Sequence, residues 1–192
     1  MKKRLIKGAV AVAVLAGIFL CARWIDMELN YTVLADNSNL EECAVRFLQH
    51  GELIKIEVKL HDSIDLGDKR YVLIERMENG EYQLGLIRME QGLNGRYKIN
   101  SIGYGSSNFR EEVVESGDEK FYMLGGRNTF FGIVKVKTAL NGREYTMRVP
   151  EGERFLVYTE IDPLTEARYS DLEKLRFYNE SGEDITAQVP WN

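Results

Sequence analysis

Between Leu53 and Leu60 the chain alternates strictly, with Ile54, Ile56, Val58 and Leu60 separated by Lys55, Glu57 and Lys59. A period of two is the signature of a strand with one face buried and one face wet. Similar runs follow at "KRYVLIERM", "EYQLGLIRME", "RYKINSIGYG", "REEVVES", "EKFYMLGG", "TFFGIVKVKTA", "REYTMRVP" and "RFLVYTEI", and the chain closes on "LEKLRFYNESGEDIT". Asn79-Gly80, Asn94-Gly95 and Asn141-Gly142 lie between such runs, and Asn-Gly reaches positive φ at little cost, as tight hairpins require. The three prolines fall at predicted ends or turns. The pattern predicts a mainly β, antiparallel domain over residues 53–192, either a sandwich or a partly closed barrel.

Two segments depart from this rhythm. "SNLEECAVRFLQHGE" has a helical period, with Leu40, Ala44, Phe47 and Leu48 on one face, Ser38 and Glu41 at capping-box spacing, and Gly51 as a stop. It predicts a short amphipathic helix over 38–50 that must pack on a sheet to be stable. Farther back, Lys2, Lys3, Arg4 and Lys7 precede an uncharged run from Gly8 to Ala22, after which Arg23, Trp24 and Asp26 mark a return to water. A basic flank before an apolar core is the pattern of a secretory signal or signal-anchor.

The first reading of this segment is an uncleaved anchor over residues 1–25. Leu5, Ile6, Leu15, Ile18, Phe19 and Leu20 would face lipid, and Trp24 would sit at the interface. The basic flank then places the N-terminus in the cytoplasm and the bulk outside, as a single-pass plasma-membrane protein. A cleaved, secreted form is the second reading, although cutting after Ala22 leaves Leu20 where a small residue is preferred. Lipidation at Cys21 ranks third, because Leu20 precedes it. Residues 26–37 then read as a linker with some strand character.

Charge divides along the same line. The first 25 residues hold five Lys/Arg and no Asp/Glu, which leaves 20 basic against 30 acidic residues beyond them. An acidic domain repels nucleic acid, so nucleic-acid binding is excluded.

"LNGR" occurs twice, at 93–96 and 140–143. A four-residue match decides nothing alone, but "GLIRMEQGLNGRYKI" aligns without a gap on "GIVKVKTALNGREYT". With one three-residue insertion, "GDKRYVLI" also lies over "GDEKFYML". The expectation is two similar hairpin sets, at about 67–99 and 117–148. The competing account is that all β-hairpins share alternation and Asn-Gly turns.

Candidate chemistry is sparse. Zinc requires three or four His, Cys or carboxylate ligands. This chain offers only His50, His61 and one exported cysteine, Cys43, which reads as a small buried residue. Asp62, Asp65 and Asp68 recur every third residue but lack the spacing of an EF-hand. No Gly-x-Ser-x-Gly or Ser-x-x-Lys motif is present. No catalytic, cofactor or metal residues are therefore assigned.

Glu111, Glu112, Glu115, Glu160, Asp162 and Glu166 are numerous enough to supply the carboxylate pair of a hydrolase, the alternative function. The tyrosines at 71, 82, 97, 104, 122, 145 and 158 read mostly as core or cross-strand residues. Two loops stand out as candidate binding surfaces: Tyr104, Ser106, Ser107 and Phe109 in a Gly/Ser-rich stretch, and Asp162, Glu166 and Arg168 in the longest non-strand insert. The expected role is a tethered binding or structural module of the cell envelope, with an envelope protein or the wall as partner and no cofactor. Sequons at Asn30 and Asn179 matter only in a glycosylating pathway.

Overall fold

The computed structural model describes residues 2–49, 55–78 and 80–191, with side chains in the first helix described from Val14 onward. Helix α1 spans Lys2–Asn30 and α2 spans Leu40–Gln49. The strands are β1 (Ile56–Leu66), β2 (Lys69–Glu78), β3 (Glu81–Gln91), β4 (Tyr97–Gly105) and β5 (Phe109–Ser116). They continue with β6 (Glu119–Arg127), β7 (Lys135–Leu140), β8 (Arg143–Arg148), β9 (Arg154–Ile161) and β10 (Arg176–Tyr178). The fold is mainly β, all strand pairs are antiparallel, and three sheets form, ordered β1-β2-β3-β4, β5-β6-β9 and β10-β7-β8.

Three cores join these layers. Leu40, Cys43 and Ala44 of α2 close one face of the β1–β4 sheet over Ile56, Val58, Val72, Ile74, Ile87 and Met89. The opposite face of that sheet packs Tyr71, Leu73, Leu84 and Leu86 against Val114, Phe121, Met123 and Leu156 of the β5-β6-β9 sheet. The far side of the latter sheet buries Tyr122, Leu124, Phe155 and Val157 against Val136, Leu140 and Met147, with Phe177, Ile185 and Val189 of the C-terminal segment. Strands β2 and β6 lie in the middle of this stack and are buried on both faces, which explains their nearly continuous apolar sequence. Gly126 permits the tight fit, since a Cβ there would lie 2.4 Å from Phe109 Cδ1 and 2.9 Å from Phe155 Cζ.

Strand β1 serves two of these cores. Leu60 pairs with Ile74 and Ser63 with Val72, so one extra residue bulges out at His61–Asp62. Before the bulge Ile56 and Val58 face α2; after it Ile64 and Leu66 face the second sheet.

The helical segments differ from expectation in detail. α2 starts at Leu40, and Ser38 does not cap it, because Asp36 Oδ1 accepts both the Ser38 hydroxyl at 2.7 Å and the Ser38 amide at 3.0 Å. Asn39 takes the cap position, its carbonyl accepting from the Cys43 amide at 3.0 Å. His50 to Ile54 and Asn79 lie outside the described residues.

α1 does not end near Trp24. It runs to Asn30, buries Met27 and pairs Glu28 with Arg96 at 3.5 Å. Val33 and Tyr97 then exchange backbone hydrogen bonds of 3.0 and 2.8 Å, so part of the expected linker is stitched to β4. Among the described residues, no helix is long and apolar enough to cross a membrane. Leu5 and Ile6 lie where side chains are not described, whereas Leu15, Ile18, Phe19, Leu20 and Trp24 are all exposed.

The two "LNGR" stretches both lie at hairpin turns, in different sheets. Asn141 (φ 47°) and Gly142 (φ 79°) form a two-residue turn between β7 and β8. The first copy belongs to a five-residue loop between β3 and β4, where only Gly95 has positive φ (74°). The earlier landmarks match more closely. Gly67 (φ 61°) and Gly117 (φ 60°) occupy equivalent turns, and these turns touch, with Ser116 Oγ donating to the Leu66 carbonyl at 2.9 Å. The halves then diverge. β3 pairs with β2, but β7 leaves β6 for another sheet, and β9 takes its place.

Candidate functional site

A concavity of about 500 Å³ lies at the end of the stack where β1, β2, β3, β6 and β9 converge. Its lining includes Lys59, Glu75, Tyr82, Asn108, Arg127, Arg154 and the turn residues Thr129, Phe130 and Phe131. That volume suits a small-molecule site.

Glu75 organises it. The residue sits in β2 with the parity of Tyr71 and Leu73, so its side chain leaves the β1–β4 sheet toward the second sheet, and only 7% of the residue is exposed. Glu75 Oε1 accepts from Arg154 Nη2 at 2.7 Å, Arg154 Nε at 3.0 Å and Arg127 Nε at 3.2 Å. His61 Nε2 lies 3.1 Å from Glu75 Oε2, and with the carboxylate ionised the ring nitrogen must be the donor. His61 shares the parity of Lys59, which pairs with Glu75 in the β1–β2 ladder.

Burial alone would push the Glu75 carboxyl up, but the hydrogen bonds and charge of Arg154, with His61, hold it below its usual value. His61 is also held below its usual value, chiefly by burial, which outweighs the attraction of Glu75. The imidazole is therefore neutral near pH 7. Two guanidiniums and Lys59 face one carboxylate, which leaves a cationic excess inside an acidic protein.

The two arginines are held differently. Every nitrogen of Arg154 is engaged: Nη1 donates to Thr129 Oγ1 at 2.6 Å and to the Glu153 carbonyl at 2.7 Å, beside the bonds of Nε and Nη2 to Glu75. Arg127 reaches Asn108 Oδ1 at 3.4 Å and the Tyr82 carbonyl at 3.3 Å, so all its bonds are long. The turn after β6 is pinned by Asn128, whose Oδ1 accepts from the Ile133 amide at 2.7 Å and whose Nδ2 donates to the Ile133 carbonyl at 3.0 Å. That turn presents Phe130, which is 90% exposed.

The residues singled out in sequence fall elsewhere and do not form one site. Phe109 is interior, stacked on Phe177 and Trp191 at centroid distances of 4.9 and 5.2 Å. Ser107 Oγ donates to the Trp191 carbonyl at 2.8 Å, and Ser106 is exposed. Tyr104 lies on β4, its ring 4.1 Å beneath the buried Arg76 guanidinium. Asp162 closes a single turn by accepting from the Leu164 amide at 2.9 Å and pairs with Arg143 at 2.5 Å.

Glu166 and Arg168 line a second cavity, of about 380 Å³, with Arg88, Glu112, Glu115 and Lys120. Two of its carboxylates are committed to cations: Glu112 to Arg88 at 2.7 Å and Glu115 to Lys120 at 3.2 Å. Glu111 accepts from Tyr122 Oη at 2.7 Å, Ser170 Oγ at 2.5 Å and the Ser170 amide at 3.1 Å. Asp65 is held by Arg70 at 2.6 and 2.9 Å, and among the described residues no three His, Cys, Asp or Glu side chains cluster as metal ligands.

His61, Glu75, Arg127 and Arg154 escaped the sequence reading as a group. One signal was present: the charged pair Glu75-Arg76 interrupts the apolar run "YVLI" in a strand that is otherwise interior. No family model matches this chain, and searches of curated proteins and of solved structures returned no match either.

Proposed function

We propose that this protein is a binding module held at the outer face of the plasma membrane by α1, with the β body as an extracytoplasmic receptor domain for a ligand or an envelope partner. The observation that carries the binding role is the Glu75 cavity, an open concavity whose polar groups are set by a buried ion cluster on three strands. A hydrolase using a carboxylate pair is the weaker reading, since among the described residues Glu75 is the only carboxylate lining this cavity, and Glu112 and Glu115 of the second cavity are each ion-paired.

The tether is supported by the basic flank and by the exposure of Leu15, Ile18, Phe19, Leu20 and Trp24 on several sides of α1. A helix apolar all round is suited to lipid or to a protein interior. The β1–β4 and β5-β6-β9 sheets, packed through a shared core, would be the sandwich of this receptor body.

A cysteine at exposed Leu93 tests the arrangement. In intact cells, Leu93→Cys is expected to react with a membrane-impermeant thiol reagent while the wild-type chain does not, its native cysteines being Cys21 in α1 and buried Cys43. The protein should also stay in the membrane fraction after carbonate washing. Labelling only after lysis, or release into the wash, defeats the tethered reading.

A further inference from the structure

We infer that the Glu75 cavity binds a small organic carboxylate that carries an apolar, preferably flat, body. The inference rests on the binding-module reading above and names the class of ligand.

The chain as a whole is acidic, with 30 Asp/Glu against 25 Lys/Arg, yet this concavity gathers Lys59, Arg127 and Arg154 around one carboxylate that Arg154 already satisfies. An anion entering here meets local attraction against a repelling background, which selects for location as well as sign.

The two arginines are also engaged unequally. Arg154 spends its donors on bonds of 2.6 to 3.0 Å. Arg127 holds bonds of 3.2 to 3.4 Å to three different groups. Its two terminal nitrogens can exchange Asn108 and the Tyr82 carbonyl for the two oxygens of a carboxylate, the bidentate geometry a guanidinium fits best. Glu75 keeps Arg154 and His61 meanwhile, so the cluster that sets the cavity survives the exchange.

The wall of the cavity is aromatic. Phe130 stands 90% exposed on a turn that Asn128 fixes, and Tyr82 is 58% exposed on the same cavity. Exposed aromatics beside a cation suit a ligand with an apolar body next to its charge. Inorganic phosphate offers the charge without the body, and a neutral amide offers the body without the charge.

The test is calorimetric titration of the full chain in lipid nanodiscs, with empty nanodiscs subtracted, using benzoate, benzamide and inorganic phosphate. Benzoate is expected to bind with a dissociation constant of roughly 1 mM or tighter, and benzamide and phosphate each at least about tenfold more weakly. Arg127→Gln should weaken benzoate about tenfold and Phe130→Ala about fivefold. Lys59→Gln, at an exposed position that cannot perturb the core, should weaken it about threefold. Equal affinity for benzoate and benzamide, equal affinity for benzoate and phosphate, full benzoate affinity in a folded Arg127→Gln protein, or no binding of benzoate at about 20 mM would each overturn the inference. None of these outcomes bears on the tether, which the thiol labelling reads separately.

Discussion

Two carboxylates, one buried and one half-buried, show how differently this fold treats the same side chain. Glu75, in the β1–β4 sheet, is held by two guanidiniums and an imidazole and borders an open cavity. Glu111, in β5, is held by neutral donors, the Tyr122 hydroxyl and the hydroxyl and amide of Ser170, and it pins the 162–175 insert to the second sheet. One charge is matched by charge and left near solvent; the other is matched by dipoles and used to fasten a loop. Cationic partners bring surplus charge to a site, which is how the first arrangement can recruit a ligand, while the second only closes a surface.

Removing charge without changing shape should separate the two most strongly. Glu75→Gln leaves Arg127 and Arg154 without their counter-ion and is expected to cost about 3 kcal/mol of stability, read as a lower urea midpoint at unchanged slope. A cost below about 1 kcal/mol would mean that solvent already screens the cluster, and the contrast would collapse. Tyr122→Phe takes one of three donors from Glu111 and should cost about 2 kcal/mol. Ser170→Ala removes the hydroxyl donor but keeps the amide, and about 1 kcal/mol is expected. If Ser170→Ala also leaves proteolytic cleavage of the 162–175 insert unchanged, Glu111 is not its fastener.

The smallest effect concerns pH. His61 takes up its proton at lower pH in the folded chain than in the unfolded one. Between its ordinary value, near 6.5, and its depressed folded value, the unfolded chain binds more protons, so stability falls as pH falls through that window. The lowered Glu75 carboxyl adds a separate loss below its ordinary value of 4.5. His61→Gln should therefore flatten the drop in urea midpoint between pH 7.5 and pH 5.5 and leave the more acidic limb in place. An unchanged slope would remove His61 from the cluster's titration.

What the sequence revealed depended on how local the cause was. Alternation in "IKIEVKL" identifies β1 because each residue's face follows from its neighbours. Asn141-Gly142 identifies a turn because both residues tolerate positive φ. The bulge at His61–Asp62 left no such mark, and it changes which core the interior residues of β1 join. Nor does any local pattern say that β6 pairs with β9 rather than β7, since that choice is made by surfaces formed far apart in the chain.

The Glu75 site is hidden for the same reason, because Arg127 and Arg154 lie 52 and 79 residues beyond it. Glu75 itself was conspicuous as a charge in an apolar strand; its partners were two ordinary arginines among many. Phe109 misled in the opposite sense: a Gly/Ser-rich neighbourhood resembles a binding loop, but stacking on Phe177 and Trp191 makes this aromatic part of the interior.

The single inserted residue in β1 has a consequence for how the molecule comes apart. Because Ile56 and Val58 lie in the core under α2 while Ile64 and Leu66 lie in the core between sheets, one strand is a structural member of both. Peeling β1 away exposes apolar surface on two sides at once, so the helical layer and the sheet stack cannot melt independently. An irregularity that breaks the ladder locally thus makes unfolding more nearly all-or-none.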